Sequence, residues 1–132
     1  MTMTKNNSQT LSHKNAAITF LRLVVARKIS EAYATYVRQD MIHHNTAFAG
    51  DAASLEKAME ESHSLFPHTV IEIKHALEDG DLVVVHSHVR MQAEDPGFAV
   101  VHLFRFEDDR IIEMWDIGQA VPKDSPNKNG MF

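Results

Sequence analysis

The hydrophobic pattern of this chain changes its period once, between residues 66 and 69. Before that point, apolar residues such as Ile18, Leu21 and Val25 recur at three- and four-residue steps, which is typical of amphipathic helices. After it, apolar and polar residues alternate, which predicts strands. Four such segments are present: 69–78, 82–92, 98–107 and 111–118. Helices followed by an antiparallel meander predict an α+β fold, in which helices pack on one face of a curved sheet of four or more strands.

Capping and turn residues divide the first half into three helices and a loop. A short second helix follows Ser30, which can act as its N-cap, and segment 41–50 is predicted as a loop. Asp51 or Ser54 then caps a third helix, which Pro67 ends. The 132 residues lie within the ~100–200 residues of one domain. We predict a flexible segment at 1–12, the domain at 13–122 and a tail at 123–132.

Composition argues against several classes of function. The net charge is −5 and no block of five like charges occurs, whereas a nucleic-acid binder normally shows a basic face. No apolar run approaches the ~18–20 residues of a membrane span. The polar N-terminus has no secretory h-region, so we expect a cytoplasmic protein. The absence of cysteine excludes disulfides and thiolate sites. We expect a small-molecule ligand, and neither a cofactor nor a nucleic-acid or membrane partner.

The register of one hairpin predicts where three of the nine histidines lie. If the Asp-Gly dipeptide at 79–80 forms a two-residue loop, His75, His86 and His88 share one face of the sheet. That face is the more apolar one, with Ile71, Ile73, Leu77, Leu82 and Val84. We therefore predict that helices cover these histidines, which then line a cavity; alternatively, each is a hydrogen-bonded core histidine. The opposite face is also too apolar to remain solvated, which predicts a homodimer through its valines, Val70, Val83, Val85 and Val89.

Asp116 is the candidate for acid/base chemistry, because its apolar neighbours disfavour the ionised carboxylate. His102 is its natural partner if the two side chains share a face. A two-residue loop before the last strand would separate them. A three-residue loop at 107–109, with Asp109 in the left-handed region, would instead make them diagonal neighbours. We predict the three-residue loop; the alternative is a structural Asp116 bonded to a backbone N–H or an arginine.

A metal site is a minor alternative. The spacing Gly80-x5-His86-x-His88 matches the opening of the cupin metal signature, and histidines at i and i+2 of a strand project the same way. However, the acidic residue comes at Glu94, later than that signature requires, and cupins are nearly all β. We therefore predict no metal ligand and keep a histidine-ligated, cupin-like enzyme as the weaker reading.

Two segments carry a resemblance to a known family. The layout of helices and sheet resembles the nuclear transport factor 2-like superfamily, also called cystatin-like. Within it, VVHLFRFEDDRIIEMWDIGQAVP and YVRQDMIHHN resemble SnoaL-like polyketide cyclases and relatives to which aldol condensation is attributed. The resemblance runs from about Ala17 to the C-terminus. His44 and Asn45 match the second motif, whereas His43 stands in the place of Gln and Thr46 in the place of Pro.

The resemblance implies a role for several residues. Asp116 corresponds to the general acid/base of the cyclases and His102 to its helper, although Val100 stands where the cyclases have Gln. We interpret the chain as a SnoaL-like enzyme, either a cyclase, an isomerase or a lyase, that uses proton transfer in a histidine-lined cavity. The alternative is a non-catalytic, dimeric ligand-binding module of the same fold. The predicted ligand-binding residues are His86, His88, Tyr36, His44, Asn45 and Met114.

Overall fold

A computed structural model describes residues 12–132 and confirms the predicted α+β class. The predicted flexible segment 1–12 lies, except for Ser12, outside the described residues. In the described part of the chain the elements are α1 (His13–Val25), α2 (Ile29–Tyr36), β1 (Val37–His43), α3 (Ala52–Leu65), β2 (Val70–Asp79), β3 (Leu82–Arg90), β4 (Phe98–Glu107) and β5 (Arg110–Ala120). None of the helices described is long and apolar enough to cross a membrane.

Side-chain caps define where the longer helices begin. Ser12 accepts a hydrogen bond from the Asn15 backbone N–H at the start of α1. Asp51 caps α3 by accepting from the Ser54 backbone N–H, which confirms that prediction. The prediction that Ser30 caps α2 is wrong, because α2 already begins at Ile29. The N-cap position of α2 is Lys28, whose side chain makes no capping bond.

The predicted loop at 41–50 is wrong in its first part, because Val37–His43 form strand β1 at the edge of the sheet. Val37, Met41 and His43 are buried, but a register shift interrupts their alternation between Val37 and Ile42. The strand pairs in parallel with β5, a long-range contact with no turn to reveal it. The resulting five-stranded sheet has the order β1-β5-β4-β3-β2.

The helices cover one face of this sheet, which we call the inner face; the other is the outer face. The innermost side chains come from alternate positions on three strands and are almost fully buried: Val83, Val85, Phe104, Phe106 and Ile111. They pack with Phe20 and Leu21 of α1 and with Tyr33 of α2 in one hydrophobic cluster. Because side chains alternate along a strand, this cluster defines which residues of β3, β4 and β5 point inward and which point outward.

The prediction that the strand histidines face inward is wrong. Val83, Val85 and Ser87 point inward on β3, so that His86 and His88 lie on the outer face. His75 shares that face because it lies directly opposite His86. The error arose because the outer face also carries apolar residues, which made it look like the covered one: Leu77, Leu82 and Val84.

Two details of the β2–β3 hairpin also differ from the prediction. The loop residues are Gly80, in the left-handed region, and Asp81, because Asp79 pairs with Leu82. A bulge adds Lys74 to β2 between the pairs Ile73–Ser87 and His75–His86. The bulge reverses the alternation, so that Ile71 and Ile73 pack against the inner cluster. The predicted dimer interface is therefore wrong in including Val83 and Val85, because both side chains are buried in the core.

The last hairpin brings His102 and Asp116 to the same face, as predicted, but by a different route. The loop has two residues, Asp108 and Asp109, and Asp108 rather than Asp109 is left-handed. A bulge then adds Ile112 to β5, between the pairs Phe106–Ile111 and Arg105–Glu113. That extra residue restores the shared face, and His102 lies directly opposite Asp116 instead of diagonal to it.

Candidate functional site

Asp116 lies on β5 with its half-buried carboxylate on the inner face. Its Oδ2 accepts a hydrogen bond of 3.1 Å from Nδ2 of Asn45, which follows β1. Within the described residues, no side chain donates to the other carboxylate oxygen, Oδ1. One oxygen is therefore fixed by the protein and the other is available to a ligand.

A buried histidine holds Asn45 in this position. The Nδ1 atom of His43 accepts from the Asn45 backbone N–H at 3.1 Å, and its Nε2 donates to the Ala49 carbonyl at 2.6 Å. Because Nδ1 accepts, the proton must be on Nε2, and the neutral ring uses both nitrogens. The Oδ1 atom of Asn45 in turn accepts from the Ala47 backbone N–H at 3.0 Å. The segment after β1 thus points the Asn45 amide at Asp116.

His102 faces Asp116 across the strand pair β4–β5, where opposed Cβ atoms lie roughly 4.5–5.5 Å apart. Its Nδ1 is buried and has no hydrogen-bond partner among the described residues. The ring stacks on Phe104, with 5.8 Å between centroids. Burial lowers the pKa of His102 to about 4, although the Asp116 charge acts in the opposite direction. The imidazole is therefore neutral at pH 7 and can donate one hydrogen bond and accept another.

A cavity of about 300 Å³ opens beside this pair, between α3 and the inner face. Its walls are mainly apolar, and Asp116 and His102 supply polar groups. Its lining residues are Met59, Val89, Met91, Phe98, Val100, His102, Asp116, Ile117 and Gly118. Apolar walls with a few converging polar groups are typical of small-molecule sites. Sequence reasoning did not find Met59, because its helical spacing indicates only a buried position.

Tyr33 of α2 is a second residue that the sequence did not indicate as part of the site. Burial raises its pKa, and the charges of Glu56 and Asp116 raise it further, so the phenol stays protonated. Glu56 lies on α3, and its own pKa is raised by partial burial and by Glu60. Tyr33 and Glu56 also line a separate cleft of about 820 Å³. Nothing in the spacing of Tyr33 distinguishes it from a packing residue, because core and site lie on the same helix face.

The predicted ligand-binding residues fall into two groups. Asn45 contacts Asp116, and Met114 is buried on the same face two residues before it. Tyr36 is half-buried against the core, and no contact in the described structure joins it to Asp116.

The other three lie on the outer face. His44 stacks on Trp115 at 5.0 Å and donates from Nε2 to the Glu113 carboxylate at 2.8 Å. His86 pairs with His75, and His88 donates from Nε2 to the Pro96 carbonyl at 2.7 Å. Among the described residues that line the cavity, His102 is therefore the one histidine. Across residues 12–132, no group of three or more His, Asp or Glu side chains is arranged to hold a metal ion.

Comparison with known proteins agrees with this architecture. Residues 17–114 match the family model of the SnoaL-like domain. No curated protein matches the chain significantly. A cystatin-fold protein from Novosphingobium aromaticivorans superposes with a TM-score of 0.69 at 21% identity, covering 82% of this chain and 99% of its own.

Two further structures carry names that indicate an activity. IdmH, a proposed polyketide cyclase from Streptomyces antibioticus, superposes with a TM-score of 0.65 at 20% identity, covering 83% of this chain and 93% of its own. An LEH-like epoxide hydrolase from M. tuberculosis has a TM-score of 0.64 at 15% identity, covering 81% of this chain and 82% of its own. These likenesses confirm the expected fold, which is not that of a cupin.

Proposed function

Because the chain belongs to the SnoaL-like domain family, we propose that it is a small-molecule enzyme, a cyclase, isomerase or lyase, that moves a proton at a carbon next to a carbonyl group. The observation that carries the proposal is the pairing of Asp116 with a neutral His102 at the wall of an apolar cavity. A positioned carboxylate in such a site can act as general base and then as general acid.

The hydrogen bonds of the pair assign a role to each group. Asn45 fixes Oδ2 of Asp116 and leaves Oδ1 to take the proton from carbon and return it. His102 can donate a hydrogen bond to the substrate oxygen, where negative charge develops as the carbon loses its proton. A neutral donor suits this role, because it stabilises the oxyanion without competing for the proton that Asp116 transfers.

The walls of the cavity limit the substrate class. The side chains of Met59, Met91, Phe98 and Val100 donate no hydrogen bonds, so that specificity for most of the substrate rests on shape. The volume of about 300 Å³ lies at the lower end of the range for ligand sites. We propose a compact, mainly apolar carbonyl compound. The name of IdmH is consistent with a polyketide, but Val100, in the place of the cyclases' Gln, argues for a different reaction from theirs.

Exchange of carbon-bound protons in D₂O tests the proposal without knowledge of the natural substrate. A panel of small 1,3-dicarbonyl compounds is incubated with the protein, and NMR follows the loss of the α-proton signal. The wild type should accelerate exchange of at least one compound, and Asp116→Asn should lower that rate by ~10²-fold or more. Asp109→Asn, at an exposed turn, is the matched control and should retain the rate.

The same panel separates catalysis from the alternative of a binding module. Binding is measured in parallel by chemical-shift changes of the protein. If compounds bind equally to wild type and Asp116→Asn while neither protein accelerates exchange, the chain is a ligand-binding module. Equal acceleration by both proteins would instead show that Asp116 is not the acid/base group.

We further propose that the protein is a cytoplasmic homodimer that associates through the outer face. The support for a dimer is the apolar surface of that face, where Leu77 is 65% exposed and Val84, Leu103 and Trp115 are half-buried in the single chain.

A further inference from the structure

We infer that His43 is a positioning residue for the reaction at Asp116. Its neutral ring holds Asn45 against the carboxylate, and protonation of the ring releases Asn45 and slows proton transfer. Among residues 12–132, the His43 ring neither bonds to Asp116 nor lines the cavity beside it, so that it acts through Asn45. The inference rests on the proposed function and adds a pH control to the same site.

The backbone register brings Asn45 beside Asp116 but does not hold it there. In the parallel pair β1–β5, His43 is paired with Met114, and the His44 backbone N–H donates to the Met114 carbonyl at 2.9 Å. Asn45 and Asp116 each lie two residues further along, which places them at the same level. Strand β1 ends at His43, however, so the ladder does not extend to Asn45. The orientation of Asn45 therefore depends on other bonds.

The His43 ring supplies those bonds. It is 6% exposed, accepts from the Asn45 backbone N–H at 3.1 Å through Nδ1, and donates to the Ala49 carbonyl at 2.6 Å from Nε2. The backbone N–H of His43 also donates to the Gly50 carbonyl at 3.1 Å. The loop 44–50 is thus tied to one residue near both of its ends. A group that orients a reacting side chain through such a buried network needs all of its bonds.

Protonation of His43 breaks this arrangement, because a charged imidazole donates from both nitrogens and accepts at neither. Its new Nδ1–H would point at the Asn45 backbone N–H, and two donors would meet where one bond of 3.1 Å had been. Asn45 then moves away, and Oδ2 of Asp116 loses the amide that fixes it. The carboxylate no longer keeps Oδ1 directed towards the substrate. Proton transfer therefore slows as the pH falls.

The surroundings allow the ring to change its charge. The titratable groups on the elements packed around it are Tyr33, Asp51, Glu113 and Asp116. The pKa of Asp51 is lowered, chiefly by its bonds to Ser54 and in smaller part by His43, so its carboxylate favours a charged ring. Glu113 is bound to His44 on the outer face, and Tyr33 stays protonated. Asp51 thus opposes the bond to Asn45, which favours the neutral ring.

The experiment uses the compound whose proton exchange in D₂O the wild type accelerates, and it measures kcat and KM from pH 5 to 8. His43→Leu removes both ring bonds and should lower kcat by about tenfold or more at pH 7, with KM changed by less than about twofold, because the cavity walls are intact. His43→Gln keeps one donor and one acceptor and cannot gain a proton. It should retain most of kcat, and its rate should fall at a lower pH than that of wild type.

Two controls separate positioning from a general effect on the fold. His68→Gln changes a histidine at an exposed turn and should keep the wild-type pH profile. The double variant His43→Leu/Asn45→Ala should be no slower than Asn45→Ala alone, because both changes remove the same hold on Asp116. Additive losses would show that His43 does not act through Asn45. Identical pH profiles of wild type and His43→Gln would show that protonation of His43 does not control the rate.

Nuclear magnetic resonance tests the inference without a substrate. In ¹⁵N spectra, the backbone and side-chain amide signals of Asn45 should move in His43→Leu, and in wild type as the pH is lowered, but should move less in His43→Gln over the same pH range. If these signals respond while no compound exchanges its protons, the positioning role stands and the proposed function fails. If exchange is accelerated but the Asn45 signals are the same in all three proteins, the proposed function stands and the positioning role fails.

Discussion

Each face of the sheet carries a histidine directly opposite another polar side chain on the neighbouring strand, but in a different chemical situation. On the inner face, the Nδ1 atom of His102 is buried without a partner among the described residues, and the ring faces a carboxylate. On the outer face, His75 and His86 lie opposite each other with their Nδ1 atoms in contact. The residue type and the strand geometry are the same on both faces. Burial and the opposed partner therefore decide whether a strand histidine suits proton chemistry or only forms a hydrogen bond with its neighbour.

The largest expected effect comes from placing the same charge on each face of β3. Val85→Asp puts a carboxylate into the core beside Phe104 and should cost more than about 4 kcal/mol of unfolding free energy, or prevent folding. Val84→Asp changes the next residue, which is half-buried on the outer face, and should leave the chain folded.

Urea denaturation measures the difference, and light scattering of Val84→Asp tests the proposed homodimer. A wild-type dimer that becomes a folded monomer in Val84→Asp supports association through the outer face. A monomeric wild type contradicts the homodimer. Similar unfolding free energies for the two variants would contradict the assignment of the faces themselves.

The sidedness of the histidines shows where sequence reasoning fails for this fold. Pairing parity correctly placed His75, His86 and His88 together, and a family resemblance correctly placed His102 with Asp116. Parity does not say which face the helices cover, and both faces are apolar. Contact with α1 and α2 decides which face is covered, and the alternation of apolar and polar residues does not predict such contacts.

The sequence did not predict the bulges or the edge strand, for a related reason. Lys74 and Ile112 are each inserted without a glycine or another local signal, and each reverses the alternation of its strand. Strand β1 depends on a parallel partner far along the chain. Asn45 could be named from the resemblance, but its contact with Asp116 requires the fold of the segment held by His43.

The second prediction uses pH to isolate the inner-face histidine. Burial lowers the pKa of His102 from an ordinary 6.5 to about 4 in the folded state. Between those values the unfolded chain binds a proton that the folded chain does not, so stability falls as pH decreases from 6.5 towards 4. The full effect is about 3 kcal/mol at 1.36 kcal/mol per pKa unit. His102→Gln should remove this part of the pH dependence.

Urea denaturation at pH 7 and pH 4.5 measures the effect for wild type and His102→Gln. His63 needs its own variant, because its pKa is also lowered, first by burial and then by the Arg27 charge. His63→Gln should remove a separate part of the acid sensitivity. An unchanged pH dependence in His102→Gln would show that this imidazole is solvated and that the contrast between the two faces is smaller than the structure indicates.

The smallest expected effect concerns a hydroxyl group on the inner face. Ser87 is fully buried between Ile73 and Val100, and its Oγ has no partner among residues 12–132. A buried polar atom without a partner has lost its hydration and gained nothing in return. Ser87→Ala removes the hydroxyl with little change in volume, and it should leave stability unchanged or raise it by up to about 1 kcal/mol.

Thr69→Val is the matched control, because its hydroxyl is also buried but donates to the Phe66 carbonyl at 2.8 Å. Its loss should cost about 1 kcal/mol, opposite in sign to the effect at Ser87. Thermal and urea denaturation of the two variants beside wild type resolve this difference. A loss at Ser87 as large as that at Thr69 would mean that the hydroxyl is satisfied, for instance by a water molecule from the Asp116 cavity. Water would then reach the inner face around β3, and it would provide a hydrogen-bond donor to the substrate oxygen in addition to His102.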